Sequence, residues 1–134
     1  MLSLQTAASM QHAATSHTDP ELRRLLSFRI CQLAETEGVD VSEIVNFLVV
    51  EAGDTSEQIE TALGFSPLIN FVDQSRYGDP GFAPSWEWIE DHGGWFELAY
   101  VLSDDGFGWI VFVPNVAGVD ATLLALCGQC GRQT

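Results

Sequence analysis

"WEWIEDHGGWFE", residues 86–97, sets three tryptophans, four carboxylates and one histidine around a Gly-Gly pair. Aromatic and acidic residues alternate on either side of that pair, and a period of two predicts a β-hairpin. A two-residue turn at Gly93-Gly94 places His92 opposite Trp95, Glu90 opposite Glu97, Trp88 opposite Ala99 and Trp86 opposite Val101, all on one face. A further run, Phe107 to Val113, follows Asp104-Asp105-Gly106. A turn at Asp105-Gly106 sets Tyr100 against Val111 and Leu102 against Trp109, and puts Ile110 and Phe112 on the face of Glu97. Trp86–Asp91, Trp95–Leu102 and Phe107–Val113 thus predict an antiparallel meander. Its other face, from Phe96 and Leu98 to Val111 and Val113, is expected to be the principal core.

Upstream the period changes to that of helices. In "TDPELRRLLSFRICQLAETEG", Thr18 or Asp19 is an N-cap, Pro20 stands at the first helical position and Gly38 is a stop. Leu22, Leu25, Leu26, Ile30 and Leu33 make one apolar stripe, so a helix is expected over residues 20–36. "DTSEQIETALG" repeats the pattern, with Asp54 or Thr55 as cap, Glu57 or Gln58 closing a capping box, and Gly64 at the end. Residues 41–51 are ambiguous. Asp40 or Ser42 can cap a helix there, while Phe47-Leu48-Val49-Val50 also suits a buried strand; a helix is expected. "FSPLINFVD" can supply a fourth strand, "QSRYGDPGFAPS" reads as a loop of fixed turns, and "VDATLLALC" reads as a closing helix after Pro114.

These elements predict an α+β fold, with N-terminal helices, a three- to four-stranded antiparallel sheet covered by helices, and a short C-terminal helix. Residues 1–18 are expected to be disordered, 19–130 to form a single domain and 131–134 to be a flexible tail.

Composition narrows the chemistry. Asp and Glu number 19 against five arginines and no lysine, for a formal charge of −14. That field repels phosphate, so direct nucleic-acid binding and attachment to anionic lipid are disfavoured, whereas a basic protein surface or cations are attracted. Acidity also simply favours solubility. Without lysine neither a Schiff-base amine nor a phosphate-loop GK[ST] exists. Three cysteines, Cys31, Cys127 and Cys130, are an odd number beside a start that has no basic and apolar leader, which points to a reducing, cytoplasmic setting.

Two segments carry partial likenesses. "LAETEGVDVSEIVNFL" resembles a helix-turn-helix, but its polar residues Glu43, Asn46 and Glu51 lack the cations that phosphates require, and a helical hairpin packed on the sheet is expected instead. "VVEAGDTSEQIETALG" is similar to the first strand, turn and helix of LysM domains, whose pattern runs apolar-x-x-GDT-x-x-x-I-x-x-x-x-G. The likeness covers residues 49–64 and implies a strand, a turn and a helix there; no family site residue is carried across.

The candidate site is the hairpin face bearing Trp86, Trp88, Glu90, His92, Trp95 and Glu97. Two carboxylates directly opposite each other among indoles repel, so the pair needs a proton or a cation. Glu90, Glu97 and His92 could then work as acid and base or ligate a divalent metal. The competing account leaves that face partly open, with the glutamates on a wet rim. A turn at His92-Gly93 would instead set Glu90 against Trp95 and dissolve the pair. Cys127-x-x-Cys130 is half of a metal or redox motif with only Cys31 to complete it, and His12 and His17 lie in the expected disordered start.

The favoured function is a small acidic, non-catalytic protein-binding module that uses an acidic, aromatic-rich surface against a basic partner, such as a nucleic-acid-handling protein. No catalytic residue, metal or cofactor is assigned, no membrane span is expected, and self-association is left open. The alternative is a small-molecule or metal-dependent site built on Glu90, Glu97 and His92.

Overall fold

The computed structural model describes residues 1–38, 40–64, 84–102 and 108–127, with the side chains of all but 84–88, 100–102 and 127. In chain order the elements are β1 (Leu2–Leu4), α1 (Ala7–Ser16), α2 (Pro20–Glu37), a 3-10 turn at Val41–Glu43, β2 (Val45–Val49), α3 (Ser56–Leu63), β3 (Pro84–Asp91), β4 (Trp95–Leu102), β5 (Gly108–Pro114) and α4 (Val119–Cys127). The fold is α+β, with a five-stranded sheet of order β1-β2-β5-β4-β3.

The helix boundaries are set by local chemistry. Asp19 accepts from the Glu21 and Leu22 N–H groups at the start of α2, and Gly38 closes it in the left-handed conformation with φ 70°. Thr55 and Gln58 form the capping box of α3, and Gly64 ends it. Both helices lie where their caps predict.

The sheet departs from expectation in three ways. It is mixed: β2 runs parallel to β5, with Phe47 opposite Ile110 and Val49 opposite Phe112, while β3, β4 and β5 form the expected antiparallel meander. Residues 45–49 form this strand, so neither the helix expected over 41–51 nor the second helix of a helix-turn-helix exists. The physical reason is two-sided burial. Phe47 and Val49 enter one core and Leu48 and Val50 the other, an all-round apolar run that suits a central strand and lacks a polar helical face. Within residues 49–64, which carry the LysM likeness, the turn and α3 are present, while of the implied strand only Val49, the last residue of β2, is strand.

Residues 1–18, expected to be disordered, supply β1 and α1. β1 pairs antiparallel with β2 through Leu2–Val49 and Leu4–Phe47. Thr6 and Ser9 make a capping box, and α1 buries Met10, Ala13 and Ala14. Small alanines let this helix approach α2 and the sheet closely, a stripe too short and weakly hydrophobic to stand out in sequence.

The third departure is that helices cover both faces. One core joins Trp95, Ala99, Ile110 and Phe112 to Leu22, Leu25 and Leu26 of α2 and to α1. The other joins Phe96, Leu98, Val111 and Val113 to Ile59 and Leu63 of α3 and to Leu123 and Leu126 of α4. The hairpin face that carries Glu97 is therefore a core in its own right. The 65–73 strand, the 74–83 loop, the Asp104-Asp105-Gly106 turn, Cys130 and the 131–134 tail lie outside the described residues.

Phe47 is fully buried and its ring stands 6.1 Å from that of Phe112. Phe47→Ala is expected to cost about 3–5 kcal/mol, read as a lower urea midpoint with little change in slope.

Candidate functional site

The hairpin forms with the Gly93-Gly94 turn. Glu90 stands opposite Glu97 and Trp88 opposite Ala99, and the His92 N–H donates to the Trp95 carbonyl at 2.9 Å. Gly93 sits at φ 98°, a region costly for other residues, and Asp91 accepts its N–H at 2.8 Å. Gly94 has a different requirement. A Cβ there would lie 2.7 Å from Glu21 Oε2, because Glu21 reaches over from α2 to accept the Gly94 N–H. From the other side, Asn115 donates to the Gly93 carbonyl at 2.7 Å.

Farther along, a β-bulge between Trp86 and Trp88 shifts the register. Trp86 pairs with Tyr100 in place of Val101, one residue out of line with Trp88, Glu90 and His92. The side chains of Trp86 and Trp88 lie outside those described. The β4–β5 register is also shifted, by two residues: Tyr100 faces Trp109 and Val101 faces Gly108. A two-residue shift preserves the faces, so Ile110 and Phe112 still share the side of Glu97.

Glu97 is 2% exposed. Its counter-ion is Arg29 of α2, which the hairpin alone does not reveal. Arg29 Nε donates to Glu97 Oε2 at 2.7 Å and Nη2 donates to Oε1 at 2.9 Å, a bidentate fork. His92 Nε2 lies 2.9 Å from Glu97 Oε1. A carboxylate clasped by a guanidinium only accepts, so Nε2 carries the proton and the Nε2–H tautomer or the imidazolium is present. Glu90 stands farther off, with Oε2 3.8 Å from both Arg29 Nη2 and His92 Nε2, and is 53% exposed. Arg29 Nη1 also donates to Gln32 Oε1 at 3.1 Å.

The carboxylate pair is thus real in the backbone register, and a guanidinium supplies the cation it requires. The wet-rim account holds for Glu90 and fails for Glu97. One atom each of Glu90, His92 and Glu97 converges within 4.8 Å, a spacing that a metal could bridge. The donor set fits a metal poorly, however. Both Glu97 oxygens are engaged by Arg29, His92 Nε2 donates rather than offering a lone pair, and the guanidinium would crowd a dication.

Sequence reasoning missed Arg29, yet a signal existed. Arg29 is four residues from both Leu25 and Leu33, so helical spacing puts it on the buried stripe, where a lone cation demands a partner.

Trp95 is buried too, at 6% exposure. Its indole Nε1–H donates to Asp19 Oδ2 at 3.1 Å, and the His17 ring meets it edge-on with centroids 6.4 Å apart. Trp95 therefore anchors the hairpin to the start of α2. Burial pushes the Asp19 carboxyl up, but the Leu22 N–H, the Trp95 indole, the Glu21 N–H and the nearby His17 outweigh it and hold the carboxyl below its ordinary value. Cys31 is a free, exposed thiol on α2; the side chains of Cys127 and Cys130 lie outside those described.

Comparison with family models, with curated proteins and with solved structures finds no match for this chain. The LysM likeness remains a local one.

Removing one partner of the clasp leaves a buried charge. Arg29→Ala is expected to destabilise by about 3–5 kcal/mol, whereas Arg29→Met with Glu97→Leu should cost less than the sum of the single changes; urea unfolding of the four proteins closes this cycle. Asp19 adds a pH dependence. Its lowered folded-state value means that its stabilisation is complete above the unfolded value of roughly 3.9 and is lost as pH falls through the folded value. The stability difference between the natural chain and Asp19→Asn should therefore be constant near neutrality and shrink only in acid below about pH 4. Thermal unfolding at a series of pH values measures it.

Proposed function

We propose that this chain is a small acidic, non-catalytic protein-binding module that presents a negative surface to a basic partner, with a nucleic-acid-handling protein as a partner class its charge suits. The observation that carries this reading is the inward use of positive charge. Arg29 is 12% exposed and spent on the buried Glu97. Among the described residues Arg24 is the only arginine that is exposed rather than half-buried, while Glu35, Glu37, Glu43, Glu57, Asp91 and Asp120 face solvent.

A surface of this sign accelerates encounter with a cationic partner and rejects phosphate. Among the described residues no helix is long and apolar enough to cross a membrane. The aromatic contribution is narrower than the sequence implies. Trp95 is internal, and Phe28, at 60% exposure, is the exposed aromatic side chain of α2.

The convergence of Glu90, His92 and Glu97 supports a second reading, a small-molecule or metal-dependent site. Its weakness is that Arg29 already answers the carboxylates. Titration with zinc or manganese should leave the thermal midpoint unchanged; a saturable rise that Glu97→Gln abolishes would favour this second reading.

The main reading is tested by affinity capture from native lysate in low and high salt, beside a variant with Glu35, Glu43 and Glu57 changed to Gln. A partner released by salt and lost by the variant is expected. Capture indifferent to both changes refutes the charge argument.

A further inference from the structure

Two adjacent helical lines run along the C-terminal half of α2, the first more exposed than the second. Phe28, Gln32 and Thr36 form one, spaced by four residues, and Arg29, Leu33 and Glu37 form the next. The second line borders β3, the outermost strand on that side of the described sheet. Between them runs an open groove lined by Arg29, Gln32, Leu33, Thr36 and Glu37 of α2 and by Ile89 and Glu90 of β3. Leu33 and Ile89 are half-buried, whereas Glu37 and Glu90 are exposed on either side.

Two further features point to a cationic occupant. Phe28, beside the groove on the same helix, is the most exposed large hydrophobic side chain among the described residues, and the Arg29 guanidinium lies 5.4 Å from its ring centroid, so the ring face already meets a cation. The last turn of α2 carries Glu35 and Glu37 and no basic residue. Carboxylates at the negative end of an 18-residue helix are repelled by its dipole, so the free chain holds charge there against its own stability. A positive ligand would offset that repulsion, and an apolar side chain carried on it would cover Phe28.

Resting on the acidic protein-binding reading, we propose that this groove is the docking site, and that it takes a basic amphipathic peptide segment of a partner protein. An apolar side chain of the segment covers Phe28 and Leu33, and Lys or Arg side chains lie between Glu37 and Glu90 over the end of α2. Arg29 does not oppose this, because its charge is balanced from behind by Glu97.

The test uses the full chain and a fluorescein-labelled peptide of alternating lysine and leucine, with an alternating glutamate and leucine peptide as control. Fluorescence anisotropy at low salt should show binding of the basic peptide only. Glu37→Gln combined with Thr36→Arg should weaken it about tenfold, and Phe28→Ser should weaken it without lowering stability. Glu57→Gln with Asp120→Asn, on the helices of the opposite sheet face, should change it by less than about twofold. Glu37→Gln alone should raise the thermal midpoint by roughly 1–4 °C, which a supporting structural role for Glu37 would not produce. Equal weakening by both sets of variants, or by the α3 and α4 set alone, overturns the groove and leaves the acidic reading standing. Failure of the natural chain to bind the basic peptide also overturns the groove; the acidic reading falls with it only if lysate capture is salt-insensitive.

Discussion

A guanidinium from α2 holds a carboxylate that β4 points into the core, and much of the molecule is arranged around that pair. Desolvating two charges costs several kcal/mol each, and only the two-point fork between Arg29 and Glu97, with His92 as a second partner of Oε1, makes burial tolerable. The helix cannot rotate or slide by a residue without breaking the fork. The pair thus fixes the phase of α2 against the sheet, which apolar contacts from Leu22, Leu25 and Leu26 would leave looser.

The same helix is secured at its other end. Asp19 caps it and accepts a hydrogen bond from the Trp95 indole N–H, and Glu21 accepts the Gly94 N–H at the hairpin turn. The tip of the β3–β4 hairpin is therefore gripped by the first turn of α2, while Glu97 is gripped by its middle. These contacts tie local turn chemistry to tertiary placement: the Gly-Gly turn leaves room for the Glu21 carboxylate, which a Cβ at Gly94 would push aside.

Spending Arg29 inside has an outward consequence. The exposed cations that could offset the chain's acids become fewer, and carboxylates gather at the end of α2 where the helix dipole resists them. Charge that stabilises the interior sits in the middle of α2, and charge that faces solvent gathers at its end.

By itself the sequence determined the pieces whose causes lie within a few residues: the caps of α2 and α3 and the meander, with the Gly93-Gly94 turn and the opposition of Glu90 to Glu97 as one of two registers it allowed. These follow from steric limits on turns, from hydrogen bonding at helix ends and from the period of side chains along a strand. Only the tertiary structure decided that β2 is a central parallel strand, that residues 2–16 form a strand and a helix, and that Arg29 reaches Glu97 across 68 positions. In each case the deciding energy is burial against distant partners. A short apolar run such as Val45–Val49 is compatible with either helix or strand until the cores on its two sides exist, and a cation on an apolar stripe shows its purpose only when the opposing acid is in place.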